Sequence, residues 1–291
     1  MKTALALCLV LAAAPALAKP PPFAPWIAGT TASEPTTQTQ RYDRDTYVIR
    51  QSIKTSFEAP FLYLLFGKDR VLLLDSGAGG TPIRPAVEAA IAQWLAEQHR
   101  TSIPLVVAHT HGHGDHHQGD AEFAGRADTT VVGLTAPEVA TFFGISDWPR
   151  QIVAFDLGGR VLDVIPAPGH QPAHIILLDH RTRLLLTGDT LYPGRLYVPV
   201  NMFGDFRDSV DRVADFTRHK RVAWVLGAHI EMTTTPGKDL PDSKSHPDEH
   251  RLELPYSDLL ALKASVDRMG DKVARDVQPD FIITPAPARP R

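Results

Sequence analysis

Five apolar segments of this chain each end in a short loop that contains glycine together with an aspartate or a histidine. Those loops carry Asp75, the stretch 109–120, His170, Asp189 and His229. The apolar segments are short and rich in branched residues, which is typical of buried β-strands. Loops held at the ends of such strands are rigidly placed and often functional. The pattern therefore predicts an α/β fold in which the five loops share one position and build one site.

The stretch 109–120 contains five of the 13 histidines within nine residues, together with two aspartates and three glycines. Neutral imidazoles and carboxylates that converge on one point suit borderline divalent metals, zinc above all. Glycine lets the backbone turn tightly enough to direct the side chains to that point. The alternative interpretation is a histidine-rich surface tract that binds metal weakly or not at all.

Composition excludes several classes of function. The 291 residues are 43% hydrophobic and 22% charged, enough for one large domain or two small ones. The net charge is -3 and no basic block is present, so we expect no nucleic-acid partner. The single cysteine, Cys8, lies in the first segment of the chain, so thiolate ligands and disulfides are not expected in a processed protein.

The first 18 residues have the pattern of an export signal. Lys2 precedes a short apolar run over 4–14, and the small residues of 16–18 form a cleavage pattern that ends at Ala18. Such a run is too short to span a bilayer. We expect a periplasmic or secreted protein with no stable membrane anchor after cleavage; an uncleaved anchor is the alternative.

We divide the rest of the chain by composition and periodicity. Residues 19–44 are rich in proline and threonine and are expected to form an extended arm, with regular structure beginning near Asp45. One domain is expected over 45–277, with a long polar loop and a helix making up 233–277, and a tail over 278–291. Within the domain we predict strands at 46–50, 61–66, 71–75, 105–108, 130–134, 152–157, 161–165, 175–178, 184–186 and 222–226, and helices at 85–98, 136–143, 206–219 and 257–273.

The five loops together resemble the metallo-β-lactamase superfamily. The segment 110–119, Thr-His-Gly-His-Gly-Asp-His-His-Gln-Gly, is similar to its (S/T)HxHxDHxGG motif. Asp-Ser-Gly at 75–77, Pro-Gly-His at 168–170, Thr-Gly-Asp-Thr at 187–190 and Gly-Ala-His at 227–229 resemble its other motifs, in the same order. Gln118 and Ala228 depart from the usual residues, and neither position belongs to the ligand set. The resemblance implies a four-layer αββα sandwich.

The resemblance also implies two metal sites. His111, His113 and His170 would form the first; Asp115, His116 and His229 would form the second; Asp189 would bridge the two. Asp75 would support a histidine ligand from behind, or cap its loop. Of the leftover residues, His109 and His117 are expected to be supporting or exposed, and Asp120 to begin a helix.

The implied chemistry is hydrolysis by a hydroxide that bridges two metals, with Asp115 orienting it and moving its proton. The metals are expected to be two Zn²⁺, with iron or manganese as alternatives, and the partner is a small carbonyl substrate. Tyr192 could lie behind a ligand, line the pocket or assist an oxyanion. We favour an exported hydrolase of an ester, thioester or lactone. The alternatives are a periplasmic hydrolase of β-lactam amides and a metal-binding or di-iron redox protein without hydrolase activity.

Overall fold

The computed structural model describes residues 22–241 and 243–288. The predicted export signal, 1–18, lies outside the described residues. Within the described part of the chain, no helix is both long enough and apolar enough to cross a membrane.

The first half of the chain forms a six-stranded sheet in sequence order. Its strands are β1 (Thr37–Asp43), β2 (Thr46–Gln51), β3 (Phe61–Phe66), β4 (Val71–Leu74), β5 (Leu105–Ala108) and β6 (Thr129–Val131). The first four strands are antiparallel neighbours, and β5 and β6 follow parallel to β4. The predicted hairpin of β3 and β4 is confirmed.

The second half of the chain forms a six-stranded sheet and a smaller three-stranded sheet. The strands of the larger sheet, in spatial order, are β13 (Glu253–Leu254), β12 (Trp224–Gly227), β10 (Leu184–Gly188), β9 (Ile175–Asp179), β8 (Val161–Pro166) and β7 (Val153–Asp156). The smaller sheet has the order β11 (Arg195–Pro199), β15 (Ile282–Ala286) and β14 (Asp276–Val277).

The helices are short or lie on the outer faces of the sheets. They are α1 (Arg84–Glu97), α2 (Gly114–His117), α3 (Ala136–Phe143), α4 (Phe203–Thr217) and α5 (Tyr256–Met269). The prediction for α3 is confirmed residue for residue, because Thr135 and Glu138 form a capping box at its start and Gly144 ends it in the left-handed conformation.

Side-chain alternation along the strands builds the four layers. In β3, Phe61 and Tyr63 point into the core between the two large sheets, whereas Leu62 and Leu64 point outward into a second core under α1. The outer face of the other large sheet packs against α4 and α5 through a third core. Strands covered on both faces need apolar residues throughout, as β3 and β4 have. The fold is the αββα sandwich that the resemblance implied.

Strand direction brings the polar loops together. Strands β4 and β5 are parallel, β10 and β12 are parallel, and β8 points the same way as β10 because both are antiparallel to β9. Backbone hydrogen bonds join the sheets at this edge, from Ile175 N–H to the Thr110 carbonyl (2.8 Å) and from Phe61 N–H to the Ala228 carbonyl (2.8 Å). All five predicted loops therefore open at one edge of the sandwich.

Both predicted boundaries of the domain differ from the structure. The arm expected over 19–44 contains β1, which pairs along β2, so the first sheet begins at Thr37 rather than near Asp45. The tail expected over 278–291 contains β15, which pairs with β11 and β14. Both segments were interpreted as irregular because proline and threonine are frequent in and around them. Strand β15 itself contains Pro285, which is paired with Val198. A strand with weak periodicity is stabilised by its neighbours rather than by its own sequence.

Candidate metal centre

The loop after β5 places four candidate ligands within the six residues 111–116. Thr110 is anchored by Asp75, whose Oδ1 accepts from the Thr110 N–H at 2.6 Å. His113 lies in extended backbone, and the single turn of α2 begins directly after it at Gly114. The His116 N–H donates to the His113 carbonyl at 3.0 Å, which folds Asp115 and His116 back towards the first two histidines.

The three-histidine cluster consists of His111, His113 and His170. Nδ1 of His113 lies 2.9 Å from Nε2 of His111 and 2.9 Å from Nε2 of His170. His170 follows Gly169 at φ +146°, where an added Cβ would come within 2.3 Å of the Phe206 backbone, so only glycine lets the loop approach α4 this closely. Nδ1 of His170 donates to the Tyr197 carbonyl at 2.8 Å, which directs Nε2 into the cluster.

The aspartate cluster consists of Asp115, His116 and His229. Oδ2 of Asp115 lies 3.1 Å from Nε2 of His116 and 3.3 Å from Nε2 of His229. In both imidazoles the Nδ1 atom, which points away from the cluster, has a polar partner. Nδ1 of His229 donates to the Glu58 carbonyl at 2.8 Å, and Nδ1 of His116 lies 2.9 Å from Oδ2 of Asp75.

Asp189 lies between the two clusters and turns one carboxylate oxygen towards each. Its Oδ2 is 3.4 Å from Nε2 of His170 and 3.9 Å from Nε2 of His111. Its Oδ1 is 3.5 Å from Nε2 of His116 and 3.3 Å from Nε2 of His229. The structure thus brings all seven predicted ligands together, in the grouping that the resemblance implied.

The donor set fits divalent metals. Each cluster has its ligand atoms within 4.8 Å of one another and could hold a metal ion, as could the group of His111, His116 and Asp189. Nε2 of His116 and Oδ1 of Asp189 are buried without a hydrogen bond of normal geometry, although charged neighbours lie close. Buried polar atoms normally have a partner. A metal between the imidazoles and the carboxylates would satisfy both atoms.

The electrostatics of the two clusters differ. Burial lowers the pKa of the His111 imidazole well below its usual range, so it is neutral and offers a lone pair. At His116 burial acts in the same direction, but the carboxylates of Asp75 and Asp189 outweigh it and raise the pKa well above its usual range. Without a metal, His116 therefore favours its protonated form, and a bound metal would displace that proton.

Asp75 supports the site from below. The residue is fully buried at φ +67°, a conformation that costs free energy for a residue with a Cβ. Three contacts hold it there: the Thr110 N–H and hydroxyl both donate to the carboxylate, and His116 approaches Oδ2. The structure thus places Asp75 behind His116. Of the two roles considered for Asp75, supporting a histidine ligand and capping its loop, this position matches the first.

The sequence reasoning missed two residues next to the ligands. His174 is fully buried, and its Nε2 accepts from the Asp189 backbone N–H at 3.2 Å while its ring stacks on His111 at 5.1 Å. Glu58 supplies the carbonyl that holds His229, and its half-buried carboxyl lines the polar pocket above the clusters. Burial raises the pKa of Glu58 to about 7, and the nearby Asp115 and Glu231 add to this although His229 opposes it. Only the four-residue spacing from His170 could have indicated His174.

The remaining predicted residues lie outside both clusters. Nε2 of His109 pairs with Asp120 at 2.8 Å, and Asp120 begins a 3-10 turn at 120–123. His117 is half-buried with its ring beside that of His109. Among the described residues, none of these three belongs to a group that could hold a metal.

The position of Tyr192 agrees with a role behind a ligand but not with a role at an oxyanion. Its ring packs edge-on against His229 at 5.4 Å, as expected of a residue behind a ligand. Its hydroxyl, however, donates to the Arg195 carbonyl at 2.5 Å and the side chain is buried. A hydroxyl that is already bonded to the backbone does not point at an oxyanion, so the oxyanion role is not supported.

The two departures from the family motifs are accommodated locally. Oε1 of Gln118 accepts from the Gly79 N–H at 2.8 Å at the end of α2, which ties the ligand loop to the loop after β4. Ala228 is buried and its carbonyl makes the bond to Phe61 that joins the sheets. Neither residue displaces a ligand.

A two-sheet sandwich with clustered histidines and aspartates at one edge defines a class of metal-dependent hydrolases. The family model of the metallo-beta-lactamase superfamily matches residues 57–229, and the chain belongs to this superfamily. The match runs from Phe57 to the last predicted ligand, His229, and so spans the whole site.

The relatives found by sequence are named hydrolases, and the chain is a hydrolase of this superfamily. The acyl-coenzyme A thioesterase MBLAC2 of Bos taurus is 27% identical over 204 residues, which cover 58% of this chain and 72% of the relative. The hydroxyacylglutathione hydrolase of Anaeromyxobacter dehalogenans (strain 2CP-C) is 37% identical over 129 residues, which cover 44% of this chain and 48% of the relative.

Solved structures show the same fold. The metallo-beta-lactamase FIM-1 from Pseudomonas aeruginosa in its mono-zinc form superimposes with a TM-score of 0.51. The alignment covers 81% of this chain and 97% of that one, at 13% sequence identity. A likeness at this identity concerns the fold and carries no information about the substrate.

Proposed function

We propose that this protein is a di-zinc hydrolase of thioesters or carboxylic esters, lactones included. The position of Asp189 carries the proposal, because one carboxylate places an oxygen at each of two clusters that could hold a metal. A shared carboxylate between two nitrogen-rich sites suits a pair of zinc ions.

The residues of the chain would divide the work as follows. When bound, a pair of divalent metals supplies a nucleophile at neutral pH and polarises a carbonyl oxygen. His111, His113 and His170 would hold one metal, and Asp115, His116 and His229 the other. Asp115 also lines the polar pocket, where its carboxylate would orient the attacking water and pass its proton to the leaving group. The polar pocket, of about 360 Å³, would hold the group that departs.

The preference for thioesters and esters rests on the sequence relatives and on Asp189. The acyl-coenzyme A thioesterase and the hydroxyacylglutathione hydrolases both cleave carbonyl–sulfur bonds by name. The Thr-Gly-Asp-Thr segment at 187–190 also resembles the thioesterase and lactonase branches. A β-lactam amide is the alternative substrate, and no feature of the described pocket favours it.

The test combines metal analysis with a substrate panel. The protein, purified without added metal, is assayed by elemental analysis and then against thioesters, aryl esters, lactones and β-lactams. We expect two zinc ions per chain and turnover of thioesters or esters, abolished by His111→Ala. As a matched control, His109→Ala changes a histidine of the same loop that lies outside the clusters. Two irons, or two zincs without hydrolysis of any of these carbonyl compounds, would contradict the proposal.

We also propose that the protein is exported. The support is the charged start, short apolar run and small-residue cleavage pattern of residues 1–18. Expression of the full chain, cell fractionation and N-terminal sequencing test it. A periplasmic product that begins at Lys19 is expected, and a protein retained in the cytoplasm with an intact N-terminus would overturn the proposal.

A further inference from the structure

We propose that an apolar groove beside the three-histidine cluster binds the hydrocarbon chain of the substrate's acyl group. The groove has a volume of about 470 Å³ and opens directly onto His113 and His170. This volume lies within the range of about 300–1,000 Å³ that is usual for small-ligand sites. The inference rests on the proposed function, since it names the part of an ester or thioester that binds in the groove.

Three separate segments of the chain line the groove with small or flexible apolar side chains. They are the start of α3, the loop between His170 and β9, and the turn after β11. The apolar lining residues are Leu134, Ala136, Pro137, Pro172, Ala173 and Met202. Only Thr135 and Gln171 add polar groups besides the two histidines, and Gln171 is already engaged with the Ala173 N–H at 2.6 Å. A surface of this kind gains most from an occupant without hydrogen-bonding groups.

The groove and the polar pocket share His113 and His170 but differ in everything else. The polar pocket is lined by charged side chains, among them Glu58, Arg195 and Glu231, and also by the aspartates of the site. A carbonyl placed at the metals thus has an apolar channel on one side and a charged one on the other. The geometry assigns the alkyl chain to the groove and the more polar leaving group to the polar pocket.

The shape of the groove suits a flexible hydrocarbon chain better than a bulky ring. It is an open trough whose walls include Pro137 and the half-buried Leu134, not an enclosed cavity. Ala173 and Met202, which are both buried, also line it. A linear chain can lie along such a trough and add contact with every methylene. Each methylene that is fully buried contributes a factor of about 4 in affinity.

The experiment is a chain-length series with the zinc-loaded protein. Values of kcat/KM are measured for p-nitrophenyl esters from acetyl to decanoyl, in wild type and in two variants. Leu134→Gln places an amide in the groove. Val131→Gln is the matched control, because Val131 is an exposed apolar residue three positions earlier that does not line the groove. Binding of the carboxylates from acetate to decanoate is measured in parallel by calorimetry, so that the test does not depend on turnover.

We expect the octanoyl ester to exceed the acetyl ester in kcat/KM by about 10-fold or more, since an open groove buries each methylene only in part. In Leu134→Gln this ratio should fall by about 5-fold or more, whereas Val131→Gln should retain it. Carboxylate affinity should rise with chain length in the same pattern. Equal kcat/KM for short and long chains, or a ratio that Leu134→Gln leaves unchanged, would overturn the groove while the proposed function stands. If neither esters nor thioesters are cleaved, the proposed function fails, and the carboxylate affinities alone decide on the groove.

Discussion

The two clusters of the site have similar geometry and different charge. In the three-histidine cluster, burial and the neighbouring histidines lower the pKa of His111 well below its usual range, so that this imidazole offers a lone pair. The aspartate cluster contains Asp115 and has Asp75 directly behind His116, so that it favours a cation even before a metal arrives. The difference indicates that carboxylates set the affinity of one site, whereas the imidazoles and the shared Asp189 set that of the other.

The clusters also differ in how their ligands are held. In the aspartate cluster, Asp75 fixes His116 through a charged hydrogen bond, and in the three-histidine cluster a neutral backbone carbonyl of Tyr197 fixes His170. A carboxylate behind an imidazole makes it a better ligand than a carbonyl does. The aspartate cluster is therefore expected to bind its metal more tightly, and the variants below test that difference.

Asp189→Asn is expected to have the largest effect, because this carboxylate faces both clusters. Loss of its charge should lower the content of both metals and reduce kcat/KM by about 10³-fold or more. Elemental analysis and steady-state kinetics measure the two effects, with circular dichroism to verify folding. Retention of two metals at full activity would show that Asp189 does not link the clusters.

Two variants, each lacking one imidazole of one cluster, should show that the two sites differ in metal affinity. His170→Ala is expected to leave about one metal per chain, held by the aspartate cluster. His229→Ala is expected to lose more metal than His170→Ala, because the tighter site is the one damaged. Titration with a chromogenic chelator gives the affinity of the metal that remains. Equal losses in the two variants would contradict the proposed asymmetry.

Asp75→Asn should weaken the aspartate cluster without touching a ligand. The substitution removes the negative charge behind His116 and is expected to lower metal affinity there by about 10- to 100-fold. The three-histidine cluster should keep its affinity. Asp120→Asn is the matched control, since Asp120 pairs with His109 outside both clusters. A similar loss in both variants would mean that the effect is a general one on loop stability.

His117→Ala should have the smallest effect. The residue lies in the histidine-rich stretch, but its ring contacts His109 rather than a cluster. Metal content should remain at the wild-type value, and kcat/KM should change by less than about 2-fold. Loss of a full equivalent of metal in this variant would show that the ligand assignment is wrong.

The site was largely predictable because its signals are local. Each ligand follows a short apolar strand, and four of the seven occupy one continuous stretch of sequence. The residues that support the ligands were harder to predict from the sequence. His174 contacts the backbone N–H of Asp189, and Glu58 contacts His229 through its own backbone carbonyl. A backbone contact leaves little trace in the residue type, and Glu58 lies 171 residues from His229 in the chain.

Strands with a strong hydrophobic pattern could be predicted from the sequence. Strands that form only because they pair with a distant segment were missed. Strands β3 and β4 are continuous apolar runs and were placed correctly, because strands covered on both faces have that pattern. Strand β11 and its parallel partner β15 were missed. They are formed by segments distant in sequence, and their prolines and polar residues resemble loops. The apolar groove was hidden for the same reason, since its walls come from three separate segments.

The most direct test of the account is the position of the metals in crystals of protein purified without added metal. Anomalous scattering is measured on both sides of the zinc absorption edge. We predict two zinc peaks, one enclosed by His111, His113 and His170 and one by Asp115, His116 and His229, with the Asp189 carboxylate between them. A single peak, an iron signal, or a peak at His109 and His117 would contradict the account.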